Sequence, residues 1–328
     1  MRARRWPSAL AFVALTVSAT TANAYCRTTT VPILPDFQPR PGRCWTQGVP
    51  LFWRNSCVAY SVQKNASKQV AFEDAVNAIS EAFTKWTGAS CPTEGSGRSR
   101  VSIDVRDLGP VDCAEVDYNQ SGANQNVIVF RDDKWPHSDS NNTLALTTVT
   151  FNPETGEIYD GDMEINTAEQ RVTLADPVPS DGYDFASIVT HETGHFLGLA
   201  HSGEMRATMY ASYTPGNTAM RNLTSDDIAG ICAIYRPDGT RAVLDGFVMQ
   251  GPQCDPTPRR GFTGACAEPP KEKCLGSSSI ATATPVSPGW LGAALGGALV
   301  LGVRARRRRE ARRACCEATS AKRGRGGR

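Results

Sequence analysis

The chain has 328 residues, 40% hydrophobic and 21% charged, which is long enough for one or two domains with an ordinary core and too apolar for disorder throughout. The formal net charge of +2 hides an asymmetry: residues 1–24 carry three Arg and no acid, residues 304–328 carry eleven Lys or Arg against two Glu, and the 21 basic and 31 acidic residues between them set the body at about −10. Nucleic-acid binding does not fit, because the basic charge sits at two ends rather than on one folded face.

Arg2, Arg4 and Arg5 precede an apolar run from Ala9 to Val17, and Ala22-Asn23-Ala24 offers small residues where a signal peptidase reads. Residues 1–24 are therefore expected to be a signal peptide, with a mature chain starting near Tyr25. Eleven Cys without a CxxC pair agree with an oxidising destination. Residues 25–50, rich in Pro, Thr and Arg with no period, read as an extended leader, and the globular body is expected from Leu51.

Alternation and β-branched content predict strands at 57–62, 101–105, 126–130, 144–151 and 157–165, with Pro153 to Gly156 as a turn. Val70, Val76, Ile79, Phe83 and Trp86 lie at helical spacing and predict a long helix over 67–86. A second helix should start at Asp184, capped by that carboxylate, bury Phe185, Ile188, Val189, Phe196 and Leu197, and stop at Gly198. A third is predicted over 225–235, with Thr224 or Ser225 as cap, Asp226 and Asp227 in the dipole-favoured first turn, and Pro237 beyond it. Residues 238–288, carrying Cys254, Cys266 and Cys274 among Pro, Gly and Ser, read as a stalk or a small disulfide-stapled knot.

One stretch carries chemistry: His191-Glu192-Thr193-Gly194-His195-Phe196-Leu197-Gly198-Leu199-Ala200-His201. On a helix His191 and His195 are separated by about 400° of rotation, so both imidazoles leave the same face about one turn apart. Gly198 can take a backbone conformation closed to residues with a Cβ, turning the chain so that His201 returns as a third ligand. Three neutral imidazoles on a tetrahedral zinc leave one position for water, as in catalytic rather than structural sites. Glu192 projects toward that position without occupying it, placed to act as general base and then acid. A solvated helix face could carry His and Glu at this spacing, but three of the four His in the chain fall within these eleven residues.

The extended motif resembles the metzincin metallopeptidases. Ser202 after the third His and Met209 in Ala207-Thr208-Met209-Tyr210 resemble the matrixin branch, as do Asp184-Phe185 upstream and Leu223-Thr224-Ser225-Asp226-Asp227-Ile228-Ala229-Gly230-Ile231 downstream. The resemblance spans roughly residues 51–237. It implies an α+β metzincin-type catalytic domain: a twisted mixed sheet with a long first helix, a zinc-binding helix and a C-terminal helix. It also implies a zinc endopeptidase acting on protein or peptide substrates, with His191, His195 and His201 on zinc, Glu192 catalytic, and Met209 and Gly198 supporting. Asp160, Asp162 and Glu164 lie where the family often places calcium ligands, although acids at alternate strand positions also make a plain solvent face. The second zinc of animal matrixins needs several His, and only His137 remains. Family latency rests on a leader Cys, but Arg43-Cys44 lacks the following Gly and Pro-Asp, so a disulfide from Cys44 to Cys57 is expected instead, with Cys91 and Cys113 as another bridge. Nine Cys between 25 and 303 leave at least one outside an internal pair.

Residues 289–303 are an uncharged apolar run of fifteen, short for a membrane span of about twenty, followed at once by the arginine-rich tail 304–328. The arrangement resembles bacterial sorting signals of the MYXO-CTERM type, with a plain membrane anchor as the alternative. The sequence thus predicts an exported bacterial zinc endopeptidase at the exterior or cell surface, its C-terminal segment meeting the membrane or sorting machinery. The rival is a non-catalytic surface or adhesion module retaining the fold and its metal, for which Glu192 would have no use.

Overall fold

The computed structural model describes residues 24–251 and 254–266. The expected signal peptide up to residue 23, Cys274, the apolar run 289–303 and the tail 304–328 lie outside the described residues. Among the described residues no helix is long and apolar enough to cross a membrane.

The chain runs through β1 (Cys26–Arg27), β2 (Cys57–Gln63), α1 (Phe72–Thr87), β3 (Ser90–Pro92), β4 (Arg98–Arg100), β5 (Asp104–Val111), β6 (Val127–Phe130), β7 (Ala145–Phe151) and β8 (Ile158–Ile165). It continues through β9 (Val172–Thr173), β10 (Tyr183–Asp184), α2 (Phe185–Phe196), β11 (Leu199–Ala200), α3 (Ser225–Ile234) and the hairpin of β12 (Thr240–Val243) and β13 (Gly246–Met249). The main sheet has the order β5-β2-β6-β8-β7; neighbours are parallel except β7, which closes one edge antiparallel to β8. Strands β2 and β6 are buried on both faces, which is why β6 is apolar at every position and even Ser61 of β2 is buried. This is the mixed-sheet α+β arrangement the sequence predicts.

Helix α1 packs on one face of the sheet by burying Ala75, Ile79, Ala82, Phe83 and Trp86, a stripe at helical spacing. Phe83 stacks on Tyr60 of β2 at 4.5 Å between ring centroids, and the Trp86 indole N–H donates to the Thr190 carbonyl, fixing α1 against α2. The helix begins at Phe72 rather than Ser67. Asp132 accepts hydrogen bonds from the Ser67 hydroxyl and the Lys68 N–H and so holds residues 67–68 in a non-helical turn. On the opposite face Val111, Val127 and Val129 are covered by Val116 of the segment after β5. Strand β5 also starts later than predicted, at Asp104. It runs through Gly109 and Pro110, which the sheet tolerates because β5 is an edge and its pairing with β2 shifts register there.

Both flanks of the body prove to be stitched onto it. Strand β1 pairs with β11, the N–H groups of Ala24 and Tyr25 donate to Asp226 of α3, and Cys26 bonds to Cys44, so the expected leader forms a closed loop on the body. Residues 240–266 are not a free stalk: β12 and β13 pair, and Arg241, fully buried, donates from its guanidinium to the carbonyls of Trp53 and Ser102, to the Ser102 hydroxyl and to the Gln250 side chain. The expected pairings of Cys44 with Cys57 and of Cys91 with Cys113 are replaced by Cys26–Cys44, Cys57–Cys254, Cys91–Cys232 and Cys113–Cys266. Proximity along the chain misleads here, because β2, β3 and the segment after β5 lie beside partners 141 to 197 residues away. With its sulfur bonded to Cys26, Cys44 has no thiolate to offer a metal.

Candidate metal centre

Helix α2 is positioned from its first turn. Asp184, fully buried, caps it by accepting from the Ser187 N–H at 2.9 Å and the Ser187 hydroxyl at 2.7 Å, while Arg221 donates to both Asp184 oxygens at 2.8 Å. The helix buries Phe185, Ile188, Val189 and Phe196, and Leu197 follows them into the core. Gly198 then takes φ of +94°, and a Cβ there would sit 2.9 Å from the Leu51 carbonyl oxygen. That turn sends the chain back through β11 to His201. Gly194, inside the helix, has a different reason: a Cβ there would overlap the Met209 sulfur and come 2.9 Å from the Trp86 ring.

The three imidazoles converge. His191 and His195 approach to 3.1 Å between their Nε2 atoms, ring centroids are 4.8 to 5.2 Å apart, and one nitrogen from each of His191, His195 and His201 lies within 4.8 Å of the others. Two nitrogens on one tetrahedral zinc at about 2.0–2.1 Å would stand about 3.3 Å apart, so the spacing fits that ion. Nδ1 of His191 donates to the Thr208 carbonyl at 2.6 Å and Nδ1 of His195 to the Leu199 carbonyl at 2.9 Å, which fixes the tautomer that leaves Nε2 as the free lone pair. Burial, with the neighbouring imidazoles, lowers His191 well below the usual range, and burial with His195 lowers His201 to about 3. Both therefore stay neutral, as ligands must.

Glu192 is buried beside this set, its carboxylate raised by burial and lowered in part by His195 and by a hydrogen bond from Thr147. Met209 lies underneath in a turn closed by the Tyr210 N–H on the Ala207 carbonyl, and its carbonyl accepts from the Ser202 N–H at 2.7 Å. A cavity of about 490 Å³ opens on the site, lined among others by Glu192, His201, Ala145, Tyr210, Tyr213 and Met220. Residues 210–213, which follow the Met209 turn directly, line it as well.

The acids of β8 are not the solvent face that alternation also allows: Asp160, Asp162 and Glu164 are all buried. Burial raises both carboxyl groups, Asp160 to about 7, and the charge of Asp160 pushes Asp162 up further. Glu164 is engaged elsewhere. Arg131 donates to its Oε1 at 2.6 Å and His137 meets Oε2 at 2.6 Å, so it does not join Asp160 and Asp162 as a third ligand. Arg131→Met would leave that buried carboxylate facing only His137 and is expected to cost about 3 kcal/mol in urea unfolding. A loss below about 1 kcal/mol would show that Arg131 does not hold Glu164.

Sequence reasoning missed Thr147, Met220 and the work of Asp227. The Thr224-x-x-Asp227 spacing signals a capping box, and the structure forms it, with the Asp227 carboxylate accepting from the Thr224 N–H. Nothing in the spacing reveals that Asp227 also accepts from the Thr208 and Met209 N–H groups beneath the imidazoles.

The matrixin family profile matches residues 52–236. The chain is 26% identical over 189 residues to metalloendoproteinase 1-MMP of Arabidopsis thaliana, covering 57% of this chain and 45% of that one. It is 27% identical over 205 residues to human neutrophil collagenase, covering 62% and 38%, and 31% identical over 159 residues to metalloendoproteinase 1 of Glycine max, covering 48% and 45%. It spans less than half the length of each of these relatives. With a match that takes in the whole stretch from the sheet through the imidazole helix to the end of α3, the chain belongs to the matrixin family of metallopeptidases.

Proposed function

We propose that the protein is an exported zinc endopeptidase that hydrolyses internal peptide bonds of protein or peptide substrates. The observation that carries this reading is that three metal-competent imidazoles converge, and that two of them, His191 and His201, share the wall of one cavity with the buried carboxylate of Glu192, which stands outside their set. Zinc, when bound there, acidifies water and polarises the carbonyl under attack. Glu192 takes the proton as the water oxygen bonds to the carbonyl carbon, and returns it to the leaving amine when the C–N bond breaks. Strand β7 is a sheet edge beside the cavity, so an extended peptide can add to its unpaired backbone groups as another strand, with a side chain entering between Tyr210 and Met220.

Calcium is proposed at Asp160 and Asp162, where a hard cation would offset two carboxylate charges that burial disfavours. The buried Asp160 Oδ1, without a hydrogen-bond partner among the described residues, fits such an ion. Export is supported by the charge pattern of residues 1–24 and by four disulfides, which need an oxidising compartment. Attachment through residues 289–328 to a membrane or sorting machinery is proposed on sequence alone.

The test is hydrolysis of an unfolded protein substrate with and without a chelator. Chelation is expected to abolish cleavage and one equivalent of zinc to restore it, while His201→Ala loses cleavage and binds zinc at least about 100-fold more weakly. Full activity without metal would overturn the mechanism. Stoichiometric zinc without hydrolysis would favour the non-catalytic surface module.

A further inference from the structure

The base is held from an unexpected quarter. Thr147, on edge strand β7, donates its hydroxyl proton to Glu192 Oε2 at 2.6 Å, the length of a hydrogen bond to an ionised oxygen. The same hydroxyl lies 3.3 Å from the Glu192 carbonyl, but it has one proton, and the shorter contact to the stronger acceptor takes it. Thr147 stands opposite Met163 of β8, whose side chain belongs to the core on the helix side of the sheet. Its same-face neighbours on β7, Ala145 and Val149, have no hydroxyl, and Leu146 and Thr148 point to the other face. Residue 147 is thus the one position on the strand from which a donor reaches Glu192.

A buried glutamate has three rotatable bonds and few polar groups to steer it. Besides Thr147, His195 is the polar neighbour that acts on the carboxylate. The Thr147 hydroxyl occupies Oε2, while among the described residues no hydrogen bond is made to Oε1, and Glu192 lines the cavity.

We propose that Thr147 is a positioning residue for Glu192: its hydroxyl pins one carboxylate oxygen to the substrate-binding edge strand, so that the other is presented to the water the carboxylate must deprotonate. This rests on the endopeptidase reading above. Because the tether runs through the strand that a bound peptide extends, it also ties the base to the position of the substrate backbone.

The test compares Thr147→Val, which keeps the shape and loses the hydroxyl, with Thr147→Ser, which keeps the hydroxyl. Thr147→Ala removes the donor without bulk and serves if the valine protein does not fold. Four quantities are read: kcat and KM on a peptide, zinc affinity by chelator competition, and calorimetric affinity for a peptidyl hydroxamate, an acid that gives up its proton to a neighbouring carboxylate as it binds. The donor-less variant is expected to lose about tenfold or more in kcat with KM within about twofold, to lose hydroxamate affinity by a similar factor, and to keep zinc affinity, with serine restoring both losses. Unchanged kcat and hydroxamate affinity in the donor-less variant would overturn the proposal, as would losses that serine fails to restore or that follow zinc affinity. If the wild-type protein hydrolyses nothing, the endopeptidase reading fails by itself, and the hydroxamate comparison still decides whether Thr147 orients Glu192.

Discussion

Glu192→Ala is expected to lower kcat at least about 10³-fold while the protein still binds one equivalent of zinc. General acid–base catalysis by a placed side chain contributes about 10²- to 10⁴-fold, and here one carboxylate serves both proton transfers. The metal set is complete without it: the converging atoms belong to His191, His195 and His201, and the placed oxygen of Glu192 goes to Thr147 instead. Burial raises this carboxylate from its ordinary value, which moves it toward the range where it can both take and return a proton near neutral pH. Glu192→Gln keeps the shape and the acceptor for Thr147 and is expected to lose activity as fully. Metal analysis beside peptide turnover checks both variants. An alanine protein retaining more than about a tenth of wild-type kcat would remove Glu192 from the mechanism.

The second large effect is expected in a residue that touches neither ligand nor base. Asp227 is fully buried, and its two oxygens accept from the N–H groups of Thr208, Met209 and Thr224 and from the Thr224 hydroxyl at 2.7 to 3.0 Å. Alanine would remove the Asp227 half of the α3 capping box and orphan the two N–H groups of the methionine turn, at about 1–3 kcal/mol for each buried donor, so roughly 4 kcal/mol should be lost in all. The damage would also reach the metal, because the Thr208 carbonyl is what orients His191. A lower urea midpoint together with weaker zinc retention is the expected pair of results, and wild-type stability would contradict the reading. Neighbouring Asp226 gives a contrast. It faces the Ala24 and Tyr25 N–H groups and the Ser202 hydroxyl, so its loss should loosen the N-terminal segment rather than the turn.

What the sequence makes legible is what repeats over short distances. The i, i+4 histidines, the glutamate beside the first, the glycine turn and the cap at Asp184 are all local, and the structure builds each where the spacing puts it. Five sheet strands and three helices are legible for the same reason. The rest depends on partners the chain brings from afar. Ser67 and Lys68 stay out of α1 because Asp132 captures them. Glu164 is drawn to Arg131 and His137, and Thr147 gains meaning only when β7 lies over α2. Cysteine pairing was the least legible of all, since three of the four bridges join segments at least 141 residues apart and periodicity says nothing about such neighbours.

The bridges also set a path for force. Cys266, at the end of the described chain, is bonded to Cys113, and Cys254 to Cys57 at the start of β2. Tension on the chain beyond residue 266 therefore enters the fold at Cys113 and is passed to the central sheet before it reaches the β12–β13 hairpin. Helices α2 and α3, which hold the imidazoles and the methionine turn, lie off that load path. A protein tugged by its C-terminal side would load the sheet through these two bridges first.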